Sequence, residues 1–382
     1  MLIAINPCNG QSLEPFPPLD KNEMYARIGE ATEAFAEWRA KSFAQRAEVL
    51  KAVARQLRAE KHDIAELMAL EMGKPIKEGV PEVEKAASCA EHYAAHAESY
   101  LADEVLPSDA SLSYVTYQPL GTLLGILPWN APLWLAFRYL APALMAGNTC
   151  VMKHDSHVPR SAQAIANAFL KAGAPDNIMV NLPIDTPEVE LAIRDSRIAA
   201  VSFTGSSGAG KKVAAMAGSE VKPCVLELGG SDPVLVLNDA DLERAVDIIC
   251  TSRFINAGQS CIAAKRVIVE ADVHDRFVEL VKQRLSKLQL GDPLQANTDV
   301  GPIAREDLQL NLHRQVEDTV ASGAKCLLGG DLPQGNGFFY PVTLLTDVTP
   351  TMCAFREETF GPVMVIIRAD DVDHALEMAN DT

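Results

Sequence analysis

Positive charge is scarce in this sequence. Its 382 residues carry 34 Lys and Arg against 51 Asp and Glu, a formal net charge of −17. A protein that tracks a phosphate backbone needs a basic surface, so the deficit excludes a general nucleic-acid binder. The eight cysteines, at positions 8, 89, 150, 224, 250, 261, 326 and 353, include no C-x-x-C pair. Neither a zinc knuckle nor a redox dithiol is expected, and thiols packed as small hydrophobes suit a reducing, cytoplasmic setting. The N-terminus, Met1 to Pro7, has no basic region and no long apolar stretch, so no secretory leader is expected. The uncharged run from Ala110 to Phe137 is interrupted by Pro119, Pro128, Asn130 and Pro132. That reads as buried strand and helix, with no membrane span. Internal repeats and low-complexity tracts are also missing.

What remains is the composition of a folded protein: 48% hydrophobic and 22% charged residues, in a chain long enough for two or three domains. The first third has a helical pattern. Ser42 is placed to cap a long helix carrying Ala47, Leu50, Val53, Ala54 and Leu57 on one face and stopping near Gly73. A second helix over about 82–100 carries His92 and His96 four apart. With no third ligand nearby in sequence, the pair reads as surface histidines. From Ser111 short apolar runs alternate with helical stretches. Strands are expected at 122–127, 149–152, 178–181, 199–204, 224–228 and 234–237, with helices at 133–145, 159–171, 187–194 and 205–217. Strand–helix alternation implies a parallel sheet covered on both faces, with ligands beyond the carboxyl ends of its strands. A second series follows: 242–255, 266–270, 274–288, 308–322 and a strand at 363–368.

Four motifs fall where chemistry belongs in such a sheet. Phe203-Thr204-Gly205-Ser206 through Gly210-Lys211-Lys212 follows a strand and opens a helix, where amide N–H groups and the helix dipole hold phosphate. It satisfies most of a P-loop, but Lys212 stands where the metal-binding Ser or Thr would be. A plain glycine-rich turn also fits. Gly258-Gln259-Ser260-Cys261 puts a thiol among small and polar residues in a loop, a better setting for a nucleophile than an apolar helix face such as that of Cys250. Leu226-Glu227-Leu228-Gly229-Gly230 ends an apolar strand with a carboxylate whose burial would tune it as a general base, unless it simply marks the strand's end. Leu127-Pro128-Trp129-Asn130 offers an amide that either donates to an oxyanion or caps the following helix. Nucleophile, base, oxyanion donor and phosphate loop together suit thiol chemistry with a nucleotide cofactor.

In these motifs, and in Glu358-Thr359-Phe360-Gly361-Pro362, the chain resembles the aldehyde dehydrogenase superfamily from Asn6-Pro7 nearly to its last residue. Motif order and spacing agree with the family. The resemblance implies an α/β protein. Residues 1–101 and 120–230 would form a Rossmann-type NAD(P)-binding domain with a parallel sheet, 102–119 an oligomerisation strand segment, and 231–382 an α/β catalytic domain. It implies that Cys261 attacks the aldehyde, that Asn130 and the Cys261 N–H hold the oxyanion, and that Glu227 activates the water that hydrolyses the thioester. Leu127, Trp129, Asn130, Lys153, Ser156, Gly205, Ser206, Leu228, Glu358 and Phe360 would bind the cofactor. Ser156 stands where NAD-preferring relatives often have Glu. NADP is therefore favoured, with NAD admitted.

Arg138 is the only charge on the apolar stretch 133–145, read as the substrate-tunnel helix. A buried guanidinium there wants a carboxylate, either the substrate's or an internal one. Succinate-semialdehyde dehydrogenases resemble this chain in carrying Arg at that position. Ile255 replaces the second Arg that many of them have, a departure resembling their shorter bacterial subtype. The expected activity is oxidation of succinate semialdehyde or a similar aldehyde by a homodimer or tetramer, with no membrane or nucleic-acid partner. The alternatives are transfer to CoA, which Glu227 disfavours, another aldehyde, or an inactive piece of such an enzyme. The resemblance also implies several dozen residues beyond Thr382, so that 1–382 alone is expected to be poorly soluble or inactive.

Overall fold

The structure is a computed structural model and describes all 382 residues. The chain forms two compact units, one of residues 1–4, 14–67 and 79–228 and one of residues 5–13, 68–78 and 229–382. Two small antiparallel ladders, β1 (Ile5–Asn6) with β2 (Gln11–Ser12) and β3 (Glu104–Val105) with β4 (Tyr114–Val115), stand apart from two five-stranded sheets.

The first part of the chain is helical: α1 (Lys21–Arg39), α2 (Phe43–Ala59), α3 (Lys61–Met72) and α4 (Ile76–Tyr100). Ser42 does cap α2, through a reciprocal capping box with Gln45. The expected face of Ala47, Leu50, Val53, Ala54 and Leu57 is buried. The long helix is in fact two, broken at Glu60. On α4, His92 Nε2 lies 3.0 Å from the Tyr100 hydroxyl and the His96 ring stacks on Tyr100. No group of three metal-ligating side chains occurs in the chain.

The first sheet alternates β5 (Thr122–Leu127), α5 (Pro132–Met145), β6 (Thr149–His154), α6 (Pro159–Lys171), β7 (Met179–Asn181), α7 (Thr186–Arg194), β8 (Ile198–Gly205), α8 (Ser207–Ser219) and β9 (Cys224–Leu228). Its order is β7-β6-β5-β8-β9, all parallel. The chain leaves β5 toward β6 and β7, then returns on the other side with β8 and β9. The β5–β8 pair is therefore the switch point where ligands bind in doubly wound sheets. Every link is a strand–helix–strand crossover, as the sequence alternation required.

The second sheet contains β10 (Pro233–Val236), β11 (Arg266–Glu270), β12 (Lys325–Leu328), β13 (Thr343–Thr346) and β14 (Val363–Ala369), in the order β10-β11-β14-β13-β12. It is mixed: β12 joins the edge antiparallel to β13. Neither β12 nor β13 is predicted from the sequence, because each is only four residues long and lacks a distinctive pattern. Val267, Val269, Leu344, Met364 and Ile366 enter one apolar core, and Ile268, Leu345, Val363, Val365 and Ile367 enter another. That two-residue alternation means both faces are covered. The helices of this unit are α9 (Leu242–Phe254), α10 (Ala271–Leu285), α11 (Glu306–Ala321), α12 (Cys353–Arg356) and α13 (Val372–Asn380). No helix of the chain is long and apolar enough to cross a membrane.

Candidate active site

The first unit gathers most of the motif residues at the carboxyl edge of its parallel sheet. Leu127 ends β5, and Trp129 and Asn130 follow it, both buried. Asn130 does not take the N-cap place of α5, which belongs to Ala131, a residue with no capping side chain. The acceptor comes from far away in sequence: Glu82 Oε1 accepts the N–H groups of Leu133 at 2.9 Å and Trp134 at 3.2 Å. A carboxylate at a helix N-terminus satisfies free donors and the dipole together. It also fixes the loop that carries Asn130.

After β6, the buried His154 accepts the Asp155 N–H on Nδ1 (3.0 Å) and donates from Nε2 to the Pro132 carbonyl (3.1 Å). Burial pushes its pKa down to about 4, so the ring is neutral at pH 7. Asp155 is pushed up by burial, but the His157 hydrogen bond and charge outweigh this and leave it at about 2. Burial disfavours the Lys153 ammonium, and Asp155 and Asp185 oppose the shift. Ser156 lies half-buried in the turn that follows.

Gly205 ends β8, and Ser206 caps α8 by accepting the Ala209 N–H. Residues 206–209 are exposed, so the first amides of α8 face outward. Gly210 serves packing: a Cβ there would run into Leu228. Lys211 lies exposed along α8. The P-loop-like spacing is thus a helix N-terminus followed by a helix–strand contact.

Two expectations need correction. Burial was to tune Glu227, yet its side chain is 51% exposed on the edge strand β9. Arg138 was read as buried, yet its guanidinium is 39% exposed and its partner is Glu227, at 3.4 Å. On α5 it occupies the one open position of an otherwise buried stretch, with Phe137 and Tyr139 packed on either side in sequence. A helix face one residue wide explains the difference, because the apolar run hides where the face opens.

The second unit holds Cys261, in the turn between a 3-10 segment (Ile255–Gly258) and β11. Asn256, Ala257 and Gly258 all have left-handed backbones, at φ 55°, 53° and 72°. For the two residues with a Cβ this costs on the order of 1–3 kcal/mol each and must be held by surrounding bonds. Gln259 supplies several: its N–H and Nε2 both donate to the Asn256 carbonyl, and its Oε1 accepts the Ala304 N–H at 2.9 Å. Asn256 N–H donates to Glu78 Oε2 at 2.6 Å. A Cβ at Gly258 would overlap the Gly361 carbonyl, so only glycine allows both the backbone angle and the approach.

Arg253, 0% exposed, ties this turn to the Glu358–Pro362 loop. Its guanidinium donates to the carbonyls of Gly258 (3.1 Å), Thr359 (3.0 Å) and Val363 (2.6 Å). Burial disfavours its charge and Glu358 offsets part of that. Lys265, 1% exposed, donates to the Cys261 carbonyl at 2.5 Å and pairs with Glu358 Oε1 at 2.9 Å. Glu358 and Phe360 lie half-buried in this loop. Glu82, Arg253 and Lys265 have no motif signal, since each acts through backbone groups or a partner distant in sequence.

A doubly wound parallel sheet with its phosphate-competent edge open, followed in the same chain by a mixed-sheet unit that presents a cysteine turn, defines a dinucleotide-dependent enzyme architecture. The aldehyde dehydrogenase family pattern matches residues 2–382, and the chain belongs to that family. It is 46% identical over 387 residues to a succinate-semialdehyde dehydrogenase [NADP(+)] of Mycobacterium avium, an alignment spanning 100% of this chain and 82% of the relative. A Mycobacterium tuberculosis protein of the same name is 45% identical over 386 residues, covering 100% and 84%. Among solved structures, a succinic semialdehyde dehydrogenase from Streptococcus pyogenes in complex with NADP+ superposes with a TM-score of 0.97 at 32% identity, covering 100% of this chain and 84% of that one. The succinate-semialdehyde dehydrogenase from Burkholderia pseudomallei gives 0.96 at 32%, covering 100% and 79%.

Proposed function

We propose that this chain oxidises an aldehyde bearing a distal carboxylate, succinate semialdehyde foremost, to the corresponding acid, with NADP favoured over NAD. The observation that carries the substrate reading is Arg138, a half-open guanidinium on a helix otherwise closed by apolar side chains. A planar fork of donors recognises carboxylate in two-point fashion, and a neutral aldehyde offers it nothing. The names of the mycobacterial and streptococcal relatives support the same substrate class and the same cofactor.

The residues present fit a dinucleotide. The switch point between β5 and β8, the open first turn of α8 and the half-buried Lys153 lie on one edge of one sheet. Gly205, Ser206 and the α8 amides would take the pyrophosphate. Lys153 would take a ribose on this unit; on the second unit, the family resemblance assigns ribose contacts to Glu358 and Phe360. Leu127, Trp129 and Leu228 would border the cofactor. Ser156, short and uncharged, would admit a 2′-phosphate that a carboxylate would repel. Ser156→Glu should move the NADP/NAD ratio of kcat/KM at least ten-fold toward NAD, and an unchanged ratio removes this assignment.

In this reading the Cys261 thiolate bonds to the aldehyde carbon, and the carbonyl oxygen becomes an oxyanion held by the Asn130 amide and the Cys261 N–H. When bound, the nicotinamide supplies the hydride acceptor. Glu227 then takes a proton from water as the water oxygen bonds to the thioester carbon, and the C–S bond breaks with its electron pair returning to sulfur. Arg138→Ala tests the substrate assignment: kcat/KM for succinate semialdehyde should fall ten-fold or more, while kcat/KM for butanal, which does not include thioester hydrolysis, should change less than two-fold. Equal effects on both aldehydes exclude the carboxylate contact.

A further inference from the structure

The residue read as the substrate's carboxylate partner already has a carboxylate partner, and it is the residue read as the general base. Glu227 Oε2 lies 3.4 Å from the Arg138 guanidinium, and both side chains are substantially open, at 51% and 39% exposure. We propose that Arg138 exchanges these two carboxylates. It holds Glu227 while no anion is present and gives it up to the carboxylate of the substrate, so that an acid-bearing aldehyde frees the base needed for its own hydrolysis.

The inference rests on the reading of Arg138 and Glu227 given above. The two groups are 3.4 Å apart, beyond good hydrogen-bond length. Guanidinium and carboxylate meet best through two parallel N–H···O bonds of about 2.8 Å. A substrate carboxylate held by its own chain beside Arg138 can adopt that geometry and displace the weaker partner. Exposure keeps the exchange near balance, because half-exposed ion pairs contribute little in water. While Glu227 remains engaged, its Oε2 faces the guanidinium and is occupied there instead of taking a proton from water. Arg138 thus becomes a specificity-determining residue that acts on hydrolysis of the thioester as well as on binding. A neutral aldehyde forms its thioester normally but meets a base that is still held.

The effect expected from a pair of this exposure is about two- to five-fold. Rapid-mixing measurements of NADPH formation test it. With wild-type enzyme and butanal, a burst should precede a slower steady state, and added propionate should raise that steady state two- to five-fold. In Arg138→Met, which keeps length but offers no charge, butanal turnover should start at the higher rate and propionate should have no effect. If propionate leaves wild-type butanal turnover unchanged or lowers it, the exchange is overturned, and this result needs no variant to fold. If in addition Arg138→Met still lowers kcat/KM for succinate semialdehyde selectively, the carboxylate contact stands and only the exchange fails. If that selectivity is missing too, the substrate reading and the exchange fall together.

Discussion

Lys265 shows how much a single residue can do without a sequence signature. Lysine in a loop ordinarily reads as solvated, yet here the ammonium is enclosed, with burial pulling its pKa down and Glu358 opposing. It fixes the carbonyl of the nucleophile residue and one oxygen of Glu358 at the same time. Removing one partner of a buried pair leaves the other charge uncompensated. Lys265→Met should therefore raise KM for NADP about ten-fold, the worth of one charge-assisted bond, while the aldehyde KM changes little. Lys265→Arg, which keeps the cation, should recover part of the loss. Steady-state kinetics with each substrate varied in turn distinguish this from general damage, which would move both constants or only the melting temperature. By contrast Cys261, Glu227, Asn130 and Glu358 are legible as residue types in motifs. Their partners are not legible, because Arg253 and Lys265 act on backbone carbonyls of other segments. The openness of Arg138 is set by where one face of α5 meets its neighbours.

Among the elements, strands of the first sheet were readable to within a residue or two. Thr122–Leu127 and Cys224–Leu228 coincide with their predicted spans, since each is a compact apolar run bounded by Gly, Pro or charged residues. The short β12 and β13 escaped because four residues carry too little pattern, and an antiparallel edge strand breaks the alternation of strand and helix. The N-terminus of α5 is a third kind of case. No local residue caps it, and the acceptor comes from Glu82 on α4, about fifty positions earlier. Glu82→Ala should lower stability by about 1–2 kcal/mol, the usual worth of a cap with a charge-assisted bond. It should also reduce kcat, because Asn130 sits immediately before the helix that loses its cap. Urea unfolding and turnover measured on the same variant check both. A stability loss with kcat intact would mean that Asn130 is positioned by other contacts.

Over the whole molecule, the buried neutral His154 links folding to acidity. Its ring holds the β6 turn against the start of α5 and has no room for a second proton. Between pH 6.5 and about 4 the unfolded chain takes up a proton that the folded chain refuses, so stability falls as pH falls through that window. By pH 5 the loss from this residue is about 2 kcal/mol, and it should appear as a lower melting temperature at pH 5 than at pH 7. His154→Gln, which cannot titrate, should flatten that slope. A slope unchanged in the variant would assign the acid sensitivity elsewhere.

The sequence by itself determined the class of fold, the strand–helix alternation of the first sheet, and the identity of the chemical groups. Apolar periodicity and turn residues act locally, and a thiol or carboxylate in a motif keeps its intrinsic chemistry wherever the chain goes. The tertiary structure decided who meets whom. It put Arg138 against Glu227, Lys265 against Glu358 and Glu82 beneath α5, and it left Glu227 open where burial was expected. Those outcomes depend on contacts between residues tens to about ninety positions apart. Local spacing does not encode such contacts, because they are selected by the packing of whole elements against one another.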